Sequence, residues 1–163
     1  KKQHNIVRKI IDFGHDIGLH FDADFYDVQS EEQLGELVDK EASWLRCWFD
    51  VEINAFSFHN PTPFLMSCDR EKYAGLFNCY GKQFKSVIGY CSDSNGYWRH
   101  QRLRDVLQRA DQTVLQVLTH PGWWQEQEMS PRERVERCVE GRAKSIMIYY
   151  DDSMKLLKRT NLR

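Results

Sequence analysis

Apolar residues along the chain follow two periods. Ile6, Val7, Ile10 and Ile11 recur at helical spacing and stop at Gly14, a residue that readily takes the left-handed conformation ending a helix. Asp16 to Phe21 then reads as a short strand. Ser30-Glu31-Glu32-Gln33 has the form of a capping box, and Leu34, Leu37, Val38, Leu45 and Phe49 lay one apolar stripe along the helix it opens, over residues 30 to 49. Ala55 to Phe58 is a second strand. After a proline-rich turn and a less regular stretch, Ser86 to Cys91 reads as a third strand, Leu103 to Arg109 as a helix, and Val114 to Thr119 as a fourth strand. Ser130-Pro131-Arg132-Glu133 combines an N-cap, a proline at the first helical position and a reciprocal glutamate, so a long helix should run from about residue 130 to 160. Val135, Cys138, Val139, Ile146, Tyr149 and Tyr150 predict a buried face for it, with its Arg and Lys residues as the solvated face.

Strands alternating with helices indicate an α/β fold whose strands run parallel through helical crossovers, and such sheets collect chemistry at the carboxyl ends of their strands. At 163 residues, 41% of them hydrophobic, the chain is expected to form a single domain, residues 1 to 163, with its own core. It opens in a helix with no strand before it, although a parallel sheet sets a strand on either side of each crossover helix. Part of the sheet is therefore expected upstream. The 23 basic and 24 acidic residues nearly cancel, so no overall field draws the protein to nucleic acid or to an anionic membrane. Five widely spaced cysteines, without a C-x-x-C pair, fit neither a disulfide framework nor a thiolate zinc site and point to a reducing cytoplasm.

Strand geometry puts Gly18, His20 and Asp22 on one face and Ile17, Leu19 and Phe21 on the other. An imidazole and a carboxylate on one surface suit a divalent metal in a mixed nitrogen and oxygen site, Zn²⁺ first among them, with Asp24 as an alternative carboxylate if the chain turns helical after Phe21. The structural alternative is a buried, hydrogen-bonded His20 with Asp22 or Asp24 capping the turn. His59 follows the second strand, where it would complete the metal shell or bind substrate, with Asn60 beside it as a substrate-binding candidate; Asn60-Pro61 is also an ordinary turn signal. The third strand runs into Ser92-Asp93-Ser94-Asn95-Gly96-Tyr97-Trp98, turn chemistry that also offers a carboxylate and an aromatic pair of the kind that contacts sugars. The fourth ends in His120-Pro121-Gly122-Trp123-Trp124, and an imidazole there suits general acid or base work. Asp93 is the candidate to orient His120, because their strands are expected to be neighbours. Thus three of the six histidines, His20, His59 and His120, fall at strand ends. His4, His15 and His100 lie on a polar helix face, in a turn and in a polar loop.

This order of motifs resembles the polysaccharide deacetylase superfamily, with its NodB-like distorted barrel, and within it the WbmS-like branch. Gly14-His15-Asp16-Ile17-Gly18-Leu19-His20 is similar to its G-H-E-I-G-x-H segment, whose last histidine binds metal. Phe56-Ser57-Phe58-His59-Asn60-Pro61 stands where the superfamily has its Arg-Pro motif. Ser92-Asp93-Ser94 through Trp98 is similar to its D-S-x-D-W motif, and Leu118-Thr119-His120-Pro121 to its L-x-H motif, whose histidine is the catalytic acid. The likeness spans the first helix to Trp124. It implies an incomplete NodB-like β/α barrel and a metal-dependent hydrolase that removes acetyl groups from N-acetylated sugars of bacterial surface polysaccharides. His20, Asp22 or Asp24, and His59 would serve the metal, His120 and Asp93 catalysis, and Asn60, Tyr97, Trp98, Trp123 and Trp124 the carbohydrate. The usual second metal histidine, four residues after the first, is Asp24 here. The superfamily's first motif, an Asp-rich strand end supplying a base and a metal carboxylate, would lie before residue 1. A noncatalytic carbohydrate-binding relative is the alternative, whereas a glycosidase would need paired carboxylates for which Asp22, Asp24 and Asp93 have no evident partners.

Overall fold

The computed structural model describes residues 2–98 and 100–162. They are mixed α/β and cluster as two compact units, Lys1–Ile88 and Gly89–Arg163.

In the first unit α1 (Lys2–Asp12) ends at Gly14, with φ of 83°. There the Gly14 N–H donates to Ile11 O and the His15 N–H to Ile10 O, a Schellman pattern that gives His15 a backbone role. Strand β1 (Leu19–Phe21) is shorter than anticipated, but its faces divide as the alternation predicts: Leu19 and Phe21 are buried and His20 is exposed. Helix α2 (Glu31–Phe49) carries the chain to β2 (Ala55–Phe58), burying Leu34, Val38, Ala42 and Phe49. Ser30 accepts from the Gln33 N–H, while the Gln33 side chain reaches back to the Gln29 N–H instead of the cap residue's own. The crossover makes β1 and β2 parallel, with Leu19 opposite Phe56, His20 opposite Ser57 and Phe21 opposite Phe58. Burying Phe21, Phe56 and Phe58 stabilises the unit by about 1.5–3 kcal/mol each, which fixes the opposite, polar face outward. Gly18 allows this approach, since a Cβ there would lie 3.0 Å from Ala55 O.

One sheet of the four anticipated strands is not what forms. After α3 (Pro63–Ser67), the stretch read as irregular supplies β3 (Lys72–Tyr73) and β4 (Leu76–Asn78), and the sheet runs β1-β2-β4-β3, with β4 parallel to β2 and β3 antiparallel to β4. The buried Asn78 amide pins that hairpin, donating to Cys68 O and Arg70 O and accepting from the Tyr80 N–H. The place beside β2 is thereby taken by a local hairpin. Part of the expected third strand is instead the short helix α4 (Lys82–Ser86).

In the second unit β5 (Gly89–Ser92) and β6 (Leu115–Leu118) form a parallel sheet of their own, connected through α5 (Leu103–Arg109), whose Val106 is buried. The strands are parallel as expected, but in neither sheet do they close into a barrel. Helix α6 (Pro131–Leu156) begins at the complete capping box of Ser130 and Glu133, and those hydrogen bonds hold the Glu133 carboxyl below its usual pKa. The anticipated buried face of α6 is corrected: Val135, Cys138, Val139, Ile146, Tyr149 and Tyr150 are all exposed. Periodicity reports that a helix has an apolar stripe, not what covers it; the first turns of α6 do reach the turns after β5 and β6, where Arg134 donates to Gly96 O and Arg137 to Gly122 O.

Candidate functional site

Two arrangements of imidazole stand at strand ends, one in each unit. In the first, the exposed face of β1 presents His20 and the same face of β2 presents Ser57, its register partner. The His59 N–H donates to Phe21 O at 2.8 Å, which extends the ladder one step and keeps His59 beside His20. His20 Nδ1 lies 2.9 Å from Ser57 Oγ, His20 Nε2 lies 3.3 Å from His59 Nδ1, and His59 Nε2 lies 3.1 Å from the Asn60 side-chain amide. Asn60, at φ of 47°, takes the left-handed turn conformation that Asn tolerates better than most residues.

The two rings meet nearly edge to face, at 80° with centroids 5.3 Å apart. Their facing nitrogens, 3.3 Å apart, are within hydrogen-bonding reach of each other. The separation also matches two nitrogens each about 2.0–2.1 Å from a tetrahedral ion, which are about 3.3 Å apart. Of the outer nitrogens, His20 Nδ1 meets a hydroxyl that can accept its N–H as an orienting group does, whereas the Asn60 amide nitrogen donates to His59 Nε2, so the His59 proton lies on Nδ1 and Asn60 would have to turn its amide oxygen to the ring before Nδ1 could ligate. With that turn the donor set suits a borderline cation such as Zn²⁺. Among the described residues no group of three His, Cys, Asp or Glu side chains is assembled for a metal. Asp22 follows His20 on the same strand face, and its carboxylate accepts from the Phe25 N–H at 3.4 Å, capping the turn. Asp24 opens the 3₁₀ turn Asp24–Tyr26 and is exposed. Cys79 borders a cavity of about 250 Å³ with His20 and Ser57, but burial raises its pKa and keeps it a thiol at neutral pH.

In the second unit the Asp93 N–H donates to Leu118 O at 3.1 Å, one step beyond the Ser92 and Leu118 pair, so the parallel register sets Asp93 beside the end of β6. Its carboxylate grips His120 twice, accepting the backbone N–H at 3.1 Å and ring Nδ1 at 2.7 Å. Asp93 is 5% exposed, whereas the His120 side chain is 46% exposed. An ionised carboxylate only accepts, so the His120 proton sits on Nδ1 and Nε2 is left for other chemistry. Next to this pair the Trp123 ring stands 6.4 Å from the His120 ring. Trp123 and Trp98 are half-buried, whereas Tyr97 and Trp124 are exposed.

The chain matches no known family, curated protein or solved structure. Among the described residues no helix is long and apolar enough to cross a membrane.

The structure thus joins His20 to His59 and His120 to Asp93, and places Asp22 at a turn. Sequence reasoning missed Ser57 as the residue that orients His20. The signal was present: period-two alternation puts Ser57 and His59 on the face opposite Phe56 and Phe58.

Proposed function

We propose that this chain is a metal-dependent hydrolase that removes an acetyl group from an N-acetylated sugar, with His20 and His59 as cation ligands and His120, oriented by Asp93, as the proton-transfer residue. The observation that carries the reading is the 3.3 Å approach of His20 Nε2 to His59 Nδ1, with Ser57 and Asn60 on the outer nitrogens. Asp22 and Asp24, two and four residues after His20, are the candidate carboxylates. A divalent cation such as Zn²⁺, when bound, would acidify a water and polarise the acyl oxygen.

The chain's own side chains carry the rest. Cleaving an amide C–N bond requires a proton on the departing nitrogen. His120 Nε2 is the atom assigned to deliver it, because Asp93 holds the other ring proton on Nδ1 and stabilises the ring while it is charged. Asn60, Tyr97, Trp98, Trp123 and Trp124 are the candidate sugar contacts. The same reading takes the parallel strands as part of an incomplete NodB-like β/α barrel, and the cysteines, all thiols, as suited to a reducing cytoplasm.

One observation favours a noncatalytic carbohydrate-binding protein instead: among the described residues only two ligand-type side chains meet, not three. Acetate release from an N-acetylglucosamine oligomer separates the two readings. The hydrolase reading expects release that stops with chelator and returns with Zn²⁺; absence of release under all metal conditions leaves the binding protein.

A further inference from the structure

Asp93 and His120 stand on two separate turns, one after β5 and one after β6, so their contact lasts only while the two turns keep their places. Each turn is closed by its own backbone: the Gly96 N–H donates to Asp93 O at 2.9 Å, and the Trp123 N–H to His120 O at 2.9 Å. Each is then held from outside by an arginine of α6. Arg134 Nη1 donates to Gly96 O at 2.7 Å in a part-buried bond, and Arg137 Nη2 donates to Gly122 O at 3.0 Å in an exposed one. Three residues apart, the two arginines share one face of the helix. Gly96, at φ of 80°, is closely surrounded, since a Cβ there would lie 3.3 Å from Arg134 Nη1 and 3.4 Å from both Pro131 Cβ and Trp123 Cδ2. The two turns and the first turn of α6 therefore meet at Gly96. With the two bonds from the Asp93 carboxylate to His120, the contacts close a ring that returns along the helix from Arg137 to Arg134.

We infer that Arg134 and Arg137 are positioning residues for His120, and that α6 sets the spacing between the turn carrying Asp93 and the turn carrying His120. The consequence for rate rests on the hydrolase reading above, whereas the consequence for geometry does not. The His120 side chain is 46% exposed, so water competes with Asp93 for its ring once the turns drift apart. A misplacement of about 1 Å can cost on the order of 10²-fold in rate. Arginine suits the task, because its planar fork fixes the direction of its N–H groups, while a lysine ammonium is a point charge on a flexible stem. Arg132 supplies the contrast on the same helix: it is exposed and pairs at 3.0 Å with Glu136, one turn along α6 itself.

The test reads geometry and rate separately. Proton and nitrogen NMR of the full chain follows the His120 ring proton shared with Asp93, and kcat and KM are measured on the N-acetylglucosamine tetramer with Zn²⁺. Arg134→Met should lose or shift the shared-proton signal and lower kcat about 10 to 10²-fold with KM little changed. Arg137→Met should do the same more weakly, Arg134→Lys should recover part of the loss, and Arg132→Met should match wild type. A wild-type signal and kcat in both Arg134→Met and Arg137→Met would overturn the inference, even if their unfolding midpoints fall, because the arginines would then serve stability alone. An equal loss in Arg132→Met would also overturn it, as an effect of helix charge. Should Arg134→Met fail to fold, Arg137→Met, whose bond is exposed, decides by the same readings. If wild type releases acetate while the variants keep both signal and kcat, the clamp falls and the hydrolase stands. If wild type releases none, the hydrolase falls, and the shared-proton signal alone judges the clamp, which stands if the signal is lost in the variants and falls if it is kept.

Discussion

His20 and His120 hold the same side chain at comparable places, each beside the end of a parallel strand pair, yet their partners differ in kind. His20 faces a second imidazole, and both outer ring nitrogens meet neutral groups, Ser57 and Asn60. His120 faces a carboxylate whose side chain is 8% exposed. On the proposed reading, the two rings, with facing nitrogens 3.3 Å apart, would seat a cation. His120, its Nδ1 held by Asp93, would instead present Nε2 for proton transfer. On that reading the partner, not the histidine, sets the role.

The comparison breaks most visibly at His120. A positioned general acid contributes about 10² to 10⁴-fold to rate, so His120→Ala should lower kcat on an acetylated sugar oligomer by that order, with bound metal unchanged. Asp93→Asn, which leaves an amide able to enforce the wrong tautomer, should cause a loss of similar order and alter the pH profile of kcat. Full turnover in either variant would remove His120 from the chemistry. At the other pair the effect is smaller: Ser57→Ala removes the group orienting His20 and should weaken Zn²⁺ affinity about 10 to 100-fold in a competition titration, with no effect expected at His120. The smallest effect concerns the scaffold. Gly18→Ala forces a methyl against Ala55 O and should destabilise the first unit by about 1–3 kcal/mol in denaturant unfolding, and an unchanged midpoint would mean the strands yield easily.

How much of this was legible in the chain depended on whether the signal was local. Caps marked the starts of α2 and α6 because Ser30 and Ser130 each accept from the N–H three residues on, although only Glu133 returns the reciprocal bond that the spacing predicts. The pairing of Asp93 with His120 followed from neighbouring parallel strands. The β3 and β4 hairpin was missed because its two central residues, Ala74 and Gly75, both have positive φ, at 49° and 81°, and Ala in place of Asn or Asp erases the usual turn signal. With that hairpin unseen, the sheet order could not be written correctly. Helix α6 failed differently: its apolar period is real, but periodicity carries no information about what covers it. At the site, His20 and His59 were found as strand-end residues, whereas their mutual contact depended on the register that places His20 opposite Ser57.

Metal content measured by mass spectrometry, after Zn²⁺ loading and dialysis, tests the central contrast most directly. The account predicts one Zn²⁺ per wild-type chain, loss of it in His20→Ala and in His59→Ala, and full retention in His120→Ala and Asp93→Asn. Metal that survives in both His20→Ala and His59→Ala, or that disappears with His120, would contradict it.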